Sequence, residues 1–216
     1  MPLRWRIGHG VELAMSLAAD GDLRQPPARL AWCAAHGIPA PRTPARQVHG
    51  GVVLDDGSDA PCDGLVGSGA LGIFGADCPS LVLAAPDAIA VAHCGWRGTA
   101  AGIVAAAVAA LAARSAAPPA AWQAFVGPGV HPDDYEVDAA VLDACAWPEG
   151  CLRRGRPGRA WLDLPAAVAA LAAAAGIGAV ARTRLATSRH PLLRSHRRDG
   201  PGHPQLLCAW RTPCAT

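Results

Sequence analysis

The stretch DGLVGSGALGIFGADCPSLVLAAPDAIAVAHCGWRGT, residues 63–99, decides the fold. It holds four short apolar runs, Gly64-Leu65-Val66, Leu71 to Phe74, Leu81-Val82-Leu83 and Ile89-Ala90-Val91. Each is bounded by Gly, Pro, Asp, Ser or His, which reads as a strand between turns. The connections are too short for crossover helices, so consecutive strands turn directly into one another and regular βαβ alternation is excluded. Within the stretch, Gly67-Ser68-Gly69-Ala70-Leu71-Gly72 fits a dinucleotide fingerprint, with Asp87 at the expected distance. That chemistry needs a helix opening at the glycines to face a pyrophosphate, and the residues that follow, Ile73 to Pro79, carry breakers and no helical period. A nucleotide cofactor is not expected.

Outward from this region, Thr99 to Arg114 reads as a helix, with Thr99 as N-cap and Ile103, Val104, Ala107, Val108 and Leu111 as an apolar stripe ended by Pro118-Pro119. A strand over Trp122 to Val126 leads into Gly127-Pro128-Gly129, and a second Ala-rich helix spans about residues 165–175, stopped by Gly176. Upstream, Val52-Val53-Leu54 reads as a strand, and the Pro-rich residues 20–46 read as a mobile connection before the first core strand. The sum is an α+β chain with mixed β-sheets and flanking helices, expected to form one domain over residues 1–216.

With 216 residues, 51% hydrophobic and 17% charged, the chain can bury a sizeable core without disulfides. Its 19 basic residues are all Arg. The missing Lys excludes a Schiff-base lysine and a G-x-x-x-x-G-K-[ST] phosphate loop. A net charge of +2, with only short Arg runs near 153–159 and 194–198, gives no stripe for tracking nucleic acid. His9 and Glu12 interrupt any signal-peptide core, and the longest uncharged runs, near 98–113 and 164–181, fall short of a membrane span. A soluble, cytoplasmic protein with no nucleic-acid or membrane partner is expected. The eight Cys include no C-x-x-C pair, so most are expected to be reduced and several to be small core residues.

Three constellations bear on chemistry. A hairpin turning at Ala85-Pro86 puts Leu81 opposite Ala90 and Cys78 opposite His93, with Cβ atoms about 4.5–5.5 Å apart. A Cys and a His so placed suit a shared metal ion, a nucleophile beside its base, or a buried thiol beside a hydrogen-bonded ring. Directly after them, Gly95-Trp96-Arg97-Gly98-Thr99 runs into a helix N-terminus, where backbone N–H groups and the Arg97 guanidinium favour an anion such as phosphate. His49, in Arg46-Gln47-Val48-His49-Gly50, stands in a loop before a strand, and spacing alone gives it no role beyond a surface residue.

RQVHG, DGLV, ADCPSLVL, AVAHCGWRGTAAGI, VGPGV followed by YEV, LDL and SHRRDG occur here in one order. Over residues 44–200 the chain thereby resembles the laccase-domain or multicopper polyphenol oxidase family, whose members are read as zinc-dependent purine nucleoside phosphorylases with adenosine deaminase activity. The resemblance implies an α+β sandwich and one zinc bound by His49, Cys78 and His93. It further implies purine nucleosides and phosphate as substrates. Three N and S ligands leave the fourth tetrahedral position of a catalytic zinc. Cys78, His93 and Arg97 are then the expected catalytic residues, with Arg97, Gly98, Thr99, Arg197 and Arg198 as phosphate or substrate contacts. Asp77 and Glu136 are candidates to orient water or a ligand histidine. The chain departs from the family pattern at Gly8-His9-Gly10-Val11-Glu12, around Ala186-Thr187 and at Gly202-His203.

The copper chemistry in the family's older name fails on counting. A laccase cluster takes about ten His, largely as H-x-H pairs, and this chain has eight His, none two residues apart. Adventitious copper remains compatible with a Cys and His site. Two rivals stay open: a metal-free hydrolase using Cys78 as nucleophile and His93 as base, for instance on a cell-wall amide, and a zinc-binding module without turnover.

Overall fold

The computed structural model describes residues 1–212. Cys214 lies outside the described residues. In chain order the first elements are β1 (Leu3–Ile7), β2 (Val11–Met15), α1 (Pro26–Ala35), β3 (Val53–Asp55), β4 (Gly64–Gly67), β5 (Leu71–Gly75), β6 (Ser80–Ala84) and β7 (Ile89–His93). Then come α2 (Trp96–Ala100), α3 (Ile103–Ala112), β8 (Gln123–Val126), β9 (Glu136–Val137), α4 (Ala139–Leu142), β10 (Leu152–Arg154) and β11 (Ala160–Leu162). The last are α5 (Leu164–Ala174), β12 (Ala179–Arg182), α6 (His196–Asp199) and β13 (Gln205–Arg211).

The four runs of the deciding stretch are strands β4 to β7, and the glycine run between β4 and β5 is a turn, as its breakers require. They divide between two sheets. A central sheet has the order β12-β8-β6-β7-β4-β3, antiparallel inside and parallel at both edges. An antiparallel sheet of order β1-β2-β13-β5 packs on one of its faces, and a small sheet of order β10-β11-β9 stands apart. The architecture is α+β with mixed sheets.

Alternation explains the layers. Leu81 and Leu83 of β6 face α3 and α5, meeting Ile103, Ala107, Val168 and Ala172, while Val82 and Ala84 face the second sheet and meet Leu13, Ile73 and Leu207. Both faces of the central strands are buried, so their sequence runs apolar without a polar beat. On the far side of the second sheet, Phe74, Leu206, Cys208 and Trp210 pack against Trp32 and Cys33 of α1.

Four expectations need correction. Residues 20–46 contain α1, because Pro26 and Pro27 occupy the first helical positions, where a missing N–H costs nothing. Core strands also precede this segment, since β1 and β2 belong to the second sheet. The helix read over 99–114 is two helices, broken by Gly102 at φ 86°. Gly95, not Thr99, caps the first of them. Finally, β6 pairs with β7 two residues out of the expected register, with Ser80 opposite His93 and Leu83 opposite Ala90. The turn spans Ala85 to Ala88, closed by the Ala85 N–H donating to the Ala88 carbonyl at 3.0 Å. An even shift keeps every residue on its face, so Cys78 stays on the His93 side although the two are not directly opposed.

Candidate metal and substrate site

His93 ends β7 at 4% exposure, with Asp63 at the start of β4 beside it at 0%. The Nδ1 atom of His93 lies 3.1 Å from Asp63 Oδ1, which leaves Nε2 as the outward ring nitrogen. The same carboxylate accepts the backbone N–H of Val48, of His49 at 2.9 Å and of Gly50 at 2.7 Å. Burial alone would push the Asp63 carboxyl up, but His93 and the three backbone donors outweigh it and hold it below the ordinary carboxylate range. One buried carboxylate thus orients His93 and folds the loop that carries His49.

That loop is fastened a second time. The Gln47 side chain donates to the Phe74 carbonyl and accepts the Phe74 N–H, both at 2.9 Å, as an added strand would. Between these anchors His49 sits at φ 60°, a left-handed conformation that few side chains adopt. Asp77, preceding Cys78, sits at φ 79°. Strain at non-glycine residues persists where the surroundings over-determine it.

The donor atoms of His49, Cys78 and His93 all lie within 4.8 Å of one another. The two imidazole rings meet edge to face, with centroids 4.7 Å apart. Burial opposes ionisation of the Cys78 thiol, but the two imidazoles outweigh it and bring the pKa down to about 7. Burial likewise disfavours the charged form of His93, and Asp63 and Cys78 reverse this, lifting it to about 9. Gly95 leaves room for the cluster, since a Cβ there would stand 3.0 Å from Cys78 Sγ and 3.3 Å from His49 Cδ2. Two imidazole nitrogens and a cysteine sulfur so close to one another fit a metal ion of the zinc or copper kind.

The cluster lines a cavity of about 1130 Å³. Arg97 lines it too, its guanidinium stacked 4.3 Å from the Trp96 ring, and Arg197 enters from α6 with its guanidinium 5.3 Å from the Tyr135 ring. Among the described residues no carboxylate pairs with either guanidinium. Asp77 faces the same cavity, but its carboxylate accepts Thr187 Oγ1, Ser195 Oγ at 3.0 Å and the Arg197 N–H at 2.7 Å. Its backbone carbonyl accepts the Val130 N–H at 2.9 Å. It positions the segment that carries Arg197.

A family model described as "Multi-copper polyphenol oxidoreductase laccase" matches residues 22–206. The chain belongs to this family. A relative in it from Xylella fastidiosa, named purine nucleoside phosphorylase, is 34% identical over 196 residues, 81% of this chain and 74% of its own. Another, named adenosine deaminase RL5 and from an unknown prokaryotic organism, is 37% identical over 116 residues, half of this chain and 44% of its own. A Neisseria meningitidis crystal structure shares the fold with a TM-score of 0.86 at 24% identity, covering 98% of this chain and 99% of the other. The laccase-family chain is thus similar to nucleoside-processing proteins. Among its described residues, one group of three or more His, Cys, Asp and Glu converges as a metal would require, and it is His49, Cys78 and His93.

The remaining sequence candidates fall elsewhere. Gly98 and Thr99 are buried and do not line the cavity. Gly98 instead packs so closely that a Cβ would come 2.7 Å from the Gly50 carbonyl. Arg198 turns away from the cavity, donating to the carbonyls of Thr187, Ser188, His190 and Leu193 and to Asp199. Glu136 pairs with Arg156 outside the cavity and orients no ligand histidine. Asp63 is the functional residue that sequence reasoning missed. The available signal was a charged residue opening a four-residue apolar strand. No helix among the described residues is long and apolar enough to cross a membrane.

Proposed function

We propose that the protein is a zinc-dependent purine nucleoside phosphorylase that also deaminates adenosine. Its expected phosphorolysis substrates are adenosine, inosine and methylthioadenosine. The carrying observation is the meeting, in one cavity, of a His, Cys, His donor set with the unneutralised guanidinia of Arg97 and Arg197. The names of the relatives support the same reading. His49, Cys78 and His93 would hold the ion, which supplies Lewis-acid polarisation when bound.

The rest of the chemistry follows from the chain's own groups. Asp63 occupies Nδ1 of His93, so Nε2 is the nitrogen that would be free to hold the ion. Arg97 and Arg197 hold a phosphate dianion through charge-assisted, forked hydrogen bonds. A phosphate oxygen attacks C1′ of the ribose. The bond from C1′ to the base nitrogen breaks, its electron pair leaves with the purine, and the purine takes up a proton. Deamination replaces the C6 amino group of adenine with oxygen from water and releases ammonia, and it needs no phosphate.

The test is chromatographic product analysis of purified protein of measured zinc content, given adenosine, inosine or methylthioadenosine with and without phosphate, beside Cys78→Ala. Phosphate-dependent release of free base, lost in Cys78→Ala, is expected, together with inosine from adenosine without phosphate. Zinc bound with no nucleoside consumed would leave a binding module and end the enzymatic reading. One observation favours a second reading: Asp63, His93 and Cys78 stand in the order of orienting group, base and nucleophile, as in a metal-free hydrolase acting on an amide. Rapid alkylation of Cys78 by iodoacetamide in protein of no metal content, with amide turnover, would establish that alternative.

A further inference from the structure

The cavity carries more positive charge than a nucleoside and one phosphate require. Arg24, Arg29 and Arg46 line it in addition to Arg97 and Arg197, and among the described residues Asp77 is the one carboxylate lining it. Arg24 is neutralised by Asp22, with Nε 2.8 Å from Oδ1 and Nη2 2.7 Å from Oδ2. Arg29 is not neutralised. Its Nη1 donates at 3.1 Å to the carbonyls of Leu23 and Arg24, which carry no net charge, and its Nε is shut from solvent without an acceptor. The exposed Arg46 has no side-chain partner among the described residues.

The segments that carry Arg29 and Arg46 both anchor at Phe74. Phe74, itself lining the cavity, packs in the cluster that seats α1, the helix of Arg29. Its backbone exchanges two hydrogen bonds with Gln47, the neighbour of Arg46. Arg97 and Arg197 stand on Trp96 and Tyr135, which pack against the core on the helix side of the central sheet. Two pairs of uncompensated guanidinia therefore face one cavity from two supports. Its volume, about 1130 Å³, lies just above the roughly 300–1,000 Å³ usual for small-molecule sites.

We propose that Arg29 and Arg46 form a second anion subsite that takes the 5′-phosphate of a purine nucleoside monophosphate, making the phosphorylated nucleoside a ligand class of this cavity. The assignment to the 5′ position rests on the phosphorylase reading, in which Arg97 and Arg197 hold phosphate at C1′ and the 5′ carbon is the other end of the sugar. Guanidinium forks match a phosphate monoester in geometry and charge.

Calorimetric titration of the zinc-loaded protein with adenosine, adenosine 5′-monophosphate, ribose 5-phosphate and inorganic phosphate tests the proposal, in wild type and in Arg46→Gln, Arg29→Gln and Arg97→Gln. The monophosphate is expected to bind at least about tenfold more tightly than adenosine, with that ratio falling toward one in Arg46→Gln and in Arg29→Gln. Ribose 5-phosphate is expected to show the same dependence on Arg46. Inorganic phosphate is expected to depend on Arg97 instead. Equal affinity for adenosine and its monophosphate overturns the subsite, as does inorganic phosphate binding that is lost in Arg46→Gln and retained in Arg97→Gln. Circular dichroism of each variant excludes loss of fold as the cause. An Arg46-dependent preference without any turnover would leave the subsite standing and end the phosphorylase reading. Turnover of adenosine without a preference for its monophosphate would do the reverse.

Discussion

Asparagine at position 63 would match the shape of the aspartate but offer N–H2 groups to a site already filled by three backbone N–H donors and His93. Asp63→Asn is therefore expected to weaken zinc binding about 10–100-fold, measured by competition with a chromophoric chelator, because His93 loses its fixed tautomer and His49 its folded loop. An unchanged affinity would show that the ligands need no such support. The motif that contains Asp63 is plain in the sequence, yet its role is not. The carboxylate is satisfied by a loop whose left-handed His49 no propensity foretells, and burial of the charge becomes visible only once that loop closes on it. Cys78 and His93 were legible as a pair because a hairpin holds them, whereas His49 gained a role only through resemblance. At α6, hydrogen bonding from Arg198 holds the Asp199 carboxyl down to about 2 from the ordinary 3.8. A depressed carboxyl favours the folded state above the unfolded pKa and loses that contribution as pH falls through the folded one. Amide protection factors over residues 195–200, taken relative to intrinsic exchange at each pH, are accordingly expected to hold above about pH 4 and to fall between about pH 4 and 2. Asp199→Asn should remove the pH dependence.

Elements whose apolar period is local were readable, and their interruptions were not. Strands β4 to β7 and helix α5 follow from short runs and a Gly stop, but Ala-rich sequence continues the helical pattern straight through Gly102, whose φ of 86° forces α3 to start afresh. An alanine there must adopt the left-handed region, at a cost of roughly 1–2 kcal/mol, so Gly102→Ala should lower the denaturant midpoint without changing the m-value. If stability rose, the two helices would have joined, and Arg97 would have turned with them. The hairpin error has a similar origin. A two-residue turn at Ala85-Pro86 satisfies the sequence as well as the one observed at Pro86-Asp87, and only the pairing of β6 with β7 distinguishes them. Helix α1 escaped because Pro26-Pro27 reads as an interruption anywhere but at a helix start.

The layer that sequence reasoning missed is the sheet β1-β2-β13-β5, assembled from both ends of the described chain around one internal strand. Its first strand does alternate, with Leu3, Trp5 and Ile7 less exposed than Arg4 and Arg6, but no local signal links it to residues 205–211. Leu207 sits at the meeting of the two sheets with 0% exposure, so Leu207→Ala is expected to cost about 2–5 kcal/mol in denaturant unfolding. A loss under about 1 kcal/mol would mean that the sheets close over the gap. Strand β13 also lies between β2 and β5, pairing Leu207 with both Met15 and Ile73. On the ribosome, β6 and β7 can zip together as soon as they emerge, but β2 and β5 each wait for β13 to clear the exit tunnel. Until then their apolar faces and open backbone edges are targets for chaperones, and α1, with Arg29 on it, has no finished surface to settle on. The cavity is therefore completed only once β13 has been added.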